Sequence, residues 1–281
     1  MTERIFTLWF PPVRATARRQ FRMATVLASA ALLAACASKP SDVISLIPAD
    51  QVGAQTSKDG LFAQPVSWER EKPDCSGECA TLKVESLVFP GNPELTRLVH
   101  HALATMTGTG SSTPQVYQTI AEFEAHYWRT AAPRDSAVLE AKAIYRNRSL
   151  TVLELNSYQY FTGAAHGISA TQYLNWDNRS KRVLSLNDIL VPGGRDGYLQ
   201  ALRAAHEAWL AGNRDAQEDP AGYRRMWPFQ ASENFALTDK GIVVKYDSYQ
   251  LAPYSAGQPE LRIPYSALRN VLRPEFVPSA S

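Results

Sequence analysis

The sequence predicts an α+β fold: a mainly antiparallel sheet built from hairpins, with helices on one face, formed by two packed α/β halves. Strand-like segments follow one another across short turns, which is typical of antiparallel pairing. Three longer segments carry apolar residues at every third or fourth position, the spacing of an amphipathic helix. No internal repeat of about 20–50 residues is visible, so a solenoid or propeller is not expected.

The length and composition are those of a globular protein. The chain has 281 residues, of which 45% are hydrophobic, 10% aromatic and 20% charged, so it can bury a core without depending on disulfides. The formal net charge is +2. Residues 1–35 hold five arginines and one acidic residue, and the remaining 24 basic and 26 acidic residues give the rest of the chain a charge of −2. A basic surface for nucleic acid is therefore not expected.

Residues 1–35 have the organisation of a bacterial export signal. Four arginines between Arg14 and Arg22 precede an apolar run at residues 23–35, which is shorter than the ~20 residues that a membrane span needs. The run ends in Leu-Ala-Ala before Cys36, and this ending looks like a lipobox, in which the cysteine is lipidated and becomes the mature N-terminus. An ordinary secretory signal with a coincidental cysteine is the alternative.

The residue after Cys36 bears on where the protein is sorted. Ala37 at this position resembles lipoproteins that reach the outer membrane. We therefore expect a cell-envelope protein on the periplasmic face of the outer membrane, whose membrane contact is made by the acyl chains on Cys36.

The segment after the lipidation site is expected to be a flexible tether. Residues 36–67 are rich in Ser, Ala, Gln, Asp, Gly and Pro, a composition that disfavours a packed core.

Cys75 and Cys79 follow the expected tether and flank Gly77. An exported setting favours a disulfide between these cysteines. Two free thiols or half of a metal site are the alternatives, and the second lacks the further ligands that zinc needs.

The N-terminal α/β half is expected at residues 68–166. Its patterns predict a strand, two helices and a hairpin at residues 81–89, 92–106, 113–128, 137–145 and 149–161. Asn92 and Pro93 are typical of a helix start, and the run Pro90-Gly91 ends the preceding strand.

The C-terminal α/β half is expected at residues 167–281. Its patterns predict a strand, a third helix, a second hairpin, a final strand and a short helix at residues 168–176, 196–212, 234–237 with 242–247, 261–265 and 266–272. Gly241 is expected to have a positive φ in the turn of that hairpin. The polar stretch 213–228 is predicted to be a loop.

No spacing in this sequence demands a particular chemistry. Nucleophile elbows, dinucleotide fingerprints and phosphate-binding loops are absent from it. The segment that starts at His206 begins like a metalloprotease helix, but Leu210 stands where the second histidine is needed. We expect no catalytic residues, no metal site and no cofactor.

Two loops are the candidate binding segments. One lies between two predicted strands, and the other combines tyrosines with proline and glycine. The candidate binding residues are Thr162, Gly163, His166, Gly167, Tyr249, Pro253, Tyr254 and Gly257. The alternative is structural: His166 would fix the loop to the sheet, and the tyrosines would cap the edge of the core.

These segments, in this order, resemble a family found in the extracellular region of the lysozyme-sensing anti-sigma factor RsiV and in the non-catalytic N-terminal region of the peptidoglycan deacetylase PdaC. The likeness extends from about Trp68 to Leu272. It is carried by residues 162–167, 173–177, 184–190, 253–257 and 260–265. Ala164 stands where the family often has glycine. The chain also has a lipoprotein-like leader in place of RsiV's sigma-binding segment and membrane span, and we recognise no deacetylase domain in it.

The resemblance implies a paired α/β module that acts as a receptor. The expected function is that of a membrane-anchored envelope lipoprotein with a non-catalytic module that binds a lysozyme-like muramidase or cell-wall glycan. Two alternatives stay open: a hydrolase or deacetylase of envelope polymers that uses His166 with a nearby carboxylate, and a structural lipoprotein of envelope assembly.

Overall fold

The computed structural model describes residues 61–108 and 116–277, which fall within a single compact unit, Ser45–Ser281. The expected export signal at residues 1–35 and the first 25 residues of the expected tether, Cys36 included, lie outside the described residues. Within those ranges, no helix combines the length and the apolar character needed to cross a bilayer.

Six strands form the larger sheet in the order β1-β2-β3-β4-β5-β6. They are β1 Gln64–Glu71, β2 Thr81–Val88, β3 Ser136–Arg146, β4 Leu150–Tyr160, β5 Ile168–Asp177 and β6 Arg182–Val183. Neighbouring strands pair antiparallel except β2 and β3, which are parallel. A parallel pair needs a crossover, and two helices supply it: α1 Pro93–Thr105 and α2 Ile120–Thr130. The predicted class, α+β with a mainly antiparallel sheet, is confirmed.

The first core lies between the large sheet and the helices α1 and α2. Alternate residues of β2 and β4 point to this face, so Leu82, Val84, Leu153 and Leu155 are all buried. They meet apolar residues that recur along the two helices, namely Leu95, Val99, Leu103, Phe123 and Tyr127. The aromatic face of α2 therefore belongs to the core rather than to a binding surface.

A smaller sheet and a long helix build the second core. Its elements are α4 Arg195–Ala211, β7 Phe235–Leu237, β8 Gly241–Lys245 and β9 Glu260–Pro264, and a short helix, α3 Leu186–Ile189, precedes α4. The three strands pair antiparallel in the order β7-β8-β9. Val152 of β4 and Tyr173 of β5 pack into this core from the opposite face of the large sheet. Gly241 has φ +151°, as predicted for its turn.

Side chains, rather than a strand, complete the outer edge of β5. Strand β6 pairs only with Trp176 and Asp177, which leaves the backbone groups of the preceding residues on that edge without a ladder partner. Asn234 accepts from the Tyr173 N–H at 2.7 Å and donates to the Thr171 carbonyl at 2.8 Å. Asp247 accepts from the Thr171 N–H at 2.8 Å.

A third polar side chain lies on β5 itself and bonds backbone groups of β7. The buried Asn175 of β5 donates to the Phe235 carbonyl at 2.7 Å and accepts from the Leu237 N–H at 2.8 Å, as a backbone partner would for β7. We call Asn175, Asn234 and Asp247 together the β5 edge clamp. It joins the small sheet to the large one.

Two predicted element boundaries are corrected. Strand β1 begins at Gln64, inside the range 36–67 expected to be tether; its residues alternate between exposed and half-buried, so an edge strand with polar residues resembled a linker. Helix α2 begins at Ile120, where Thr119 caps the helix by accepting from Glu122 N–H at 3.1 Å, rather than at residue 113. Strand β5 lies where its pattern predicted it, after residue 166, and pairs with β4, so one sheet joins the two expected halves.

The stretch 213–228 is helical rather than a loop. It forms α5 Arg214–Glu218 and α6 Pro220–Met226, capped by Asn213 and Asp219, whose side chains accept backbone N–H bonds. Tyr223 supplies a buried apolar anchor for a small local cluster. Each of these helices is short and buries only one side chain, so the sequence shows no repeating helical pattern of apolar residues.

Cys75 and Cys79 form a disulfide. It closes the loop between β1 and β2, next to Arg134, whose backbone N–H bonds the Glu78 carbonyl at 3.2 Å.

We expect Asn175→Ala to lower the free energy of unfolding by about 3 kcal/mol, because it strands one buried N–H and one buried C=O. Chemical denaturation followed by circular dichroism measures this. Gln172→Ala, on an exposed position of the same strand, is the matched control and is expected to change stability by less than about 0.5 kcal/mol. If the two variants lowered the free energy of unfolding equally, the Asn175 side chain would contribute no specific stability through its bonds to β7.

Candidate functional site

The two loops singled out in the sequence meet in space. His166 Nε2 lies 2.9 Å from the Tyr249 hydroxyl, although 83 residues separate them in the chain. The His166 ring also stacks on Tyr254, with ring centroids 3.8 Å apart and an angle of 18° between the planes. We call His166, Tyr249, Tyr254 and the neighbouring Trp227 the aromatic cluster.

The histidine loop is fixed at both ends. Thr162 donates its backbone N–H to Asp135 at 2.7 Å and its hydroxyl to the Pro133 carbonyl, so Thr162 anchors the loop and stays outside the cluster. Gly163, with φ +92°, forms the exposed turn. At the other end, a Cβ on Gly167 would lie 2.3 Å from the Tyr158 ring. Glycine there allows Tyr158 to pack against the loop beside His166.

The tyrosine loop is held by the β5 edge clamp. The bond from Thr171 to Asp247 places residue 247 beside the start of β5, only a few residues from His166. Two residues later, Tyr249 has φ +70°, a left-handed conformation that is costly for a non-glycine residue. Pro253 then precedes a short 3-10 turn, Tyr254–Ala256.

Gly257 closes that turn. Its N–H donates to the Tyr254 carbonyl at 2.9 Å, and its φ is +71°. Of the eight predicted binding residues, the structure brings His166, Tyr249 and Tyr254 into direct contact. Gly163, Gly167, Pro253 and Gly257 shape the loops that carry them.

Trp227 belongs to the cluster and was not predicted. Its ring lies 6.4 Å from that of Tyr249, with an angle of 29° between the planes. It follows α6 directly, and its backbone N–H caps that helix on Tyr223 at 2.7 Å. The proline after an Asp at the start of α6 was a readable helix signal, which would have given Trp227 a defined position.

The cluster presents aromatic surface to solvent. Tyr249 is 52% exposed and Met226, next to Trp227 in the chain, is 71% exposed, whereas Tyr254 and Trp227 are half-buried. Large side chains that are exposed together on a rigid frame are typical of interaction surfaces.

The polar partners of His166 are a hydroxyl and a carbonyl. Besides Tyr249, its Nδ1 lies 3.0 Å from the Gly167 carbonyl oxygen. Within residues 61–108 and 116–277, no group of three or more His, Cys, Asp or Glu side chains is placed to hold a metal ion. His206 is buried against Trp209 and Phe229, and burial lowers its pKa.

Asp247 is the carboxylate nearest in sequence to the cluster, and it is engaged by the sheet. Its Oδ1 accepts from the Thr171 N–H and from the Gln258 amide, the latter at 3.1 Å. Burial raises the pKa of the Asp247 carboxyl above its usual value, against the opposing effect of these two bonds.

Comparison with known proteins identifies relatives of this fold. The family described as "Protein of unknown function (DUF3298)" matches residues 187–266. A crystal structure of a DUF3298 family protein from Pseudomonas aeruginosa PAO1 is 35% identical and covers 79% of this chain and 99% of its own chain, with a TM-score of 0.72. A DUF3298 family member from Bacteroides fragilis shares the fold, at 22% identity, with 77% and 95% coverage and a TM-score of 0.60.

One curated relative has an assigned activity. The peptidoglycan-N-acetylmuramic acid deacetylase PdaC of Bacillus subtilis is 26% identical over 150 residues, which are 52% of this chain and 31% of PdaC. The chain thus spans less than a third of that enzyme's length.

We expect stability to fall as pH rises from about 4 through the raised pKa of Asp247, because the folded state retains a proton that the unfolded chain has released. Asp247→Asn keeps an oxygen that can accept from Thr171 and removes this fall. The difference in unfolding free energy between the two proteins, measured from pH 4 to pH 8, tests the expectation.

Asp188→Asn is the control with the opposite sign. Hydrogen bonds from Ser185 lower the pKa of Asp188 below its usual value, so its stabilisation is fully present above about pH 5 and is lost as pH falls through about 4 and below. The Asp188→Asn comparison is therefore extended down to about pH 2, and its loss of stability should grow as pH rises over that acidic range. A flat difference curve for Asp247→Asn would contradict the expectation.

Proposed function

This chain belongs to the DUF3298 family of proteins of unknown function, and on this premise we propose that it is a lipid-anchored cell-envelope protein whose folded part is a non-catalytic ligand-binding module. The aromatic cluster is the proposed binding site. The lipobox-like ending before Cys36 supports the anchor, and the partial match to a peptidoglycan deacetylase supports a cell-wall setting.

The carrying observation is the convergence of His166, Tyr249, Tyr254 and Trp227 at an exposed surface. Aromatic residues and methionine are enriched at the centres of protein interfaces, and exposed Met226 borders Trp227 in the chain. Tyr249 holds a left-handed backbone conformation although that conformation costs free energy for a non-glycine residue. A rigid aromatic surface loses little side-chain entropy when it binds.

The contacts of His166 support a binding role over a catalytic one. The catalytic alternative needs a carboxylate beside His166. Here its ring nitrogens face the Tyr249 hydroxyl and the Gly167 carbonyl instead, and Oδ1 of the neighbouring Asp247 accepts from Thr171 and Gln258. The deacetylase activity in the name of PdaC is that protein's own, and the shared part is a minority of its length.

The ligand we propose is a lysozyme-like muramidase. The exposed Met226 and Tyr249, together with Trp227 and Tyr254, give the surface the composition of a protein interface, and the resemblance to a lysozyme receptor supplies the class of partner. Cell-wall glycan is the second candidate, because Trp227 and Tyr249, whose ring centroids lie 6.4 Å apart, are aromatic residues of the kind that can stack on a sugar.

The binding test uses the mature chain with Cys36 replaced by serine, titrated with lysozyme and, separately, with soluble peptidoglycan fragments. We expect a micromolar or tighter complex with lysozyme, and a rise in Kd of at least about tenfold in Tyr249→Ala and in Trp227→Ala, the loss expected for central aromatic residues of an interface. Val183→Ala, exposed on β6, is the control and should bind as the original does.

Each result has a distinct meaning. Binding of fragments alone assigns the surface to glycan, and binding of neither rejects the proposed ligands. Turnover of a wall substrate that is lost in His166→Ala would reject the non-catalytic assignment.

The anchor is tested separately in cells. We expect the protein to fractionate with membranes and to incorporate labelled fatty acid, and Cys36→Ser to incorporate none, because the acyl chains on this cysteine provide the attachment. Ser38→Ala is the matched control. Failure of the original chain to incorporate labelled fatty acid would contradict the lipid anchor.

A further inference from the structure

A concave surface lies at the end of the large sheet opposite the aromatic cluster. It is a cleft of about 510 Å³, within the size range of small-molecule sites. We call it the turn-end cleft, because residues of three hairpin turns line it together with the last described residues. Its polar lining includes Asn147, Asp177, Arg179, Arg182, Thr238 and Arg273.

Hydrogen bonds between the turns hold the cleft open in a fixed shape. Asn178, between β5 and β6, donates its backbone N–H to the Ser149 carbonyl at 2.9 Å and its side chain to the Asn147 carbonyl at 3.1 Å. On the opposite wall, the Tyr265 hydroxyl donates to the Thr238 carbonyl at 2.7 Å. The walls are thus preorganised, which reduces the entropy lost on binding.

Two of the three arginines that line the cleft, Arg179 and Arg273, form no ion pair with another described residue. Arg182 forms an ion pair with Asp188 at 2.8 Å. Arg273 uses its Nε to donate to the Leu190 carbonyl at 2.9 Å. Among the residues the structure describes, no carboxylate lies within ion-pair distance of Arg179 or Arg273, and both are exposed.

The carboxylates of the cleft have other roles. Asp177 accepts from the backbone N–H groups of Arg179 and Ser180, at 2.8 and 3.3 Å, and from the Ser180 hydroxyl, so it builds the turn. Asp188 accepts from Ser185 and pairs with Arg182. Glu275, exposed at the C-terminal side, is the third carboxylate of the lining and opposes anion binding there.

The floor of the cleft is apolar. Leu150, Leu184 and Leu237 are buried beneath it, and Phe276 and Val277 are half-buried at its side. A ligand that fits must therefore carry a negative group for the arginines and an apolar part for the floor.

We propose that the turn-end cleft binds a small amphipathic anion, a carboxylate or phosphate monoester on an apolar or aromatic stem. The guanidinium fork matches both groups in geometry. This site is separate from the aromatic cluster, which lies at the opposite ends of β4 and β5, and the proposal does not depend on the proposed function.

The test titrates the purified chain with N-acetylphenylalanine, phenyl phosphate and the uncharged N-acetylphenylalaninamide, followed by heteronuclear NMR. We expect at least one anion to shift resonances of residues 177–182 and 273–277 and to bind about tenfold or more tightly than the amide, with weaker binding at high salt. Arg179→Gln should weaken binding about tenfold, since one charged hydrogen bond is lost. The variant should fold normally because its side chain is exposed.

Two further variants separate the cleft from general charge. Glu275→Gln should strengthen binding, because it removes the opposing carboxylate. Arg269→Gln, exposed on the same C-terminal segment but outside the lining, should leave Kd unchanged. The carboxylate and phosphate arms identify which anion the site prefers. Equal binding of the amide, equal loss in Arg269→Gln, or no anion binding at millimolar concentration would each overturn the proposal.

Discussion

The outer edge of β5 exposes backbone groups that no strand reaches, and the arrangement of the molecule depends on how they are satisfied. A buried amide or carbonyl without a partner costs about 1–3 kcal/mol, so several along one strand would threaten the fold. Asn234, just before β7, and Asp247, just after β8, supply these partners, and the Asn175 side chain bonds the backbone of β7 in the same way. Because these side chains are short and reach only a few ångströms, the two sheets must keep a fixed relative position, which we call their register.

That register explains why the aromatic cluster exists. Asp247 is fixed to the start of β5, and Tyr249 follows two residues later, within reach of the histidine that precedes the same strand. Stacking of His166 on Tyr254 then adds a second contact between the loops. The geometry of the site is therefore a consequence of how the sheets are joined rather than of either loop alone.

The sequence foretold the parts with strong local signals. Alternation and helical spacing located β2 to β5, α1 and α4, and the turn with Gly241 was anticipated because a hairpin of this type requires a positive φ. Strand β1 was missed because its polar, half-buried edge position gives weak alternation. Both loops were chosen for their composition, yet their contact depends on pairings across 83 residues, which local patterns do not encode.

The same reason hid Trp227 and the turn-end cleft, which combine segments far apart in the chain. It also hid a difference in surface character along the large sheet. Residues 36–281 together are nearly neutral, but aromatic groups gather at one end of β4 and β5, and a cleft lined by three arginines and three carboxylates lies at the other. Composition averages such differences away, and only the pairing of strands reveals them.

The position of His166 has a consequence for how this architecture can be inherited. The family match covers residues 187–266, which include Trp227, Tyr249 and Tyr254 but neither His166 nor β5. A gene fragment limited to that stretch would encode the tyrosines without the histidine that contacts them. It would also encode Asn234 and Asp247 without the β5 backbone groups that they bond. A fragment that keeps the aromatic cluster and its sheet contacts intact therefore has to start well upstream, at least at the strands that precede residue 166.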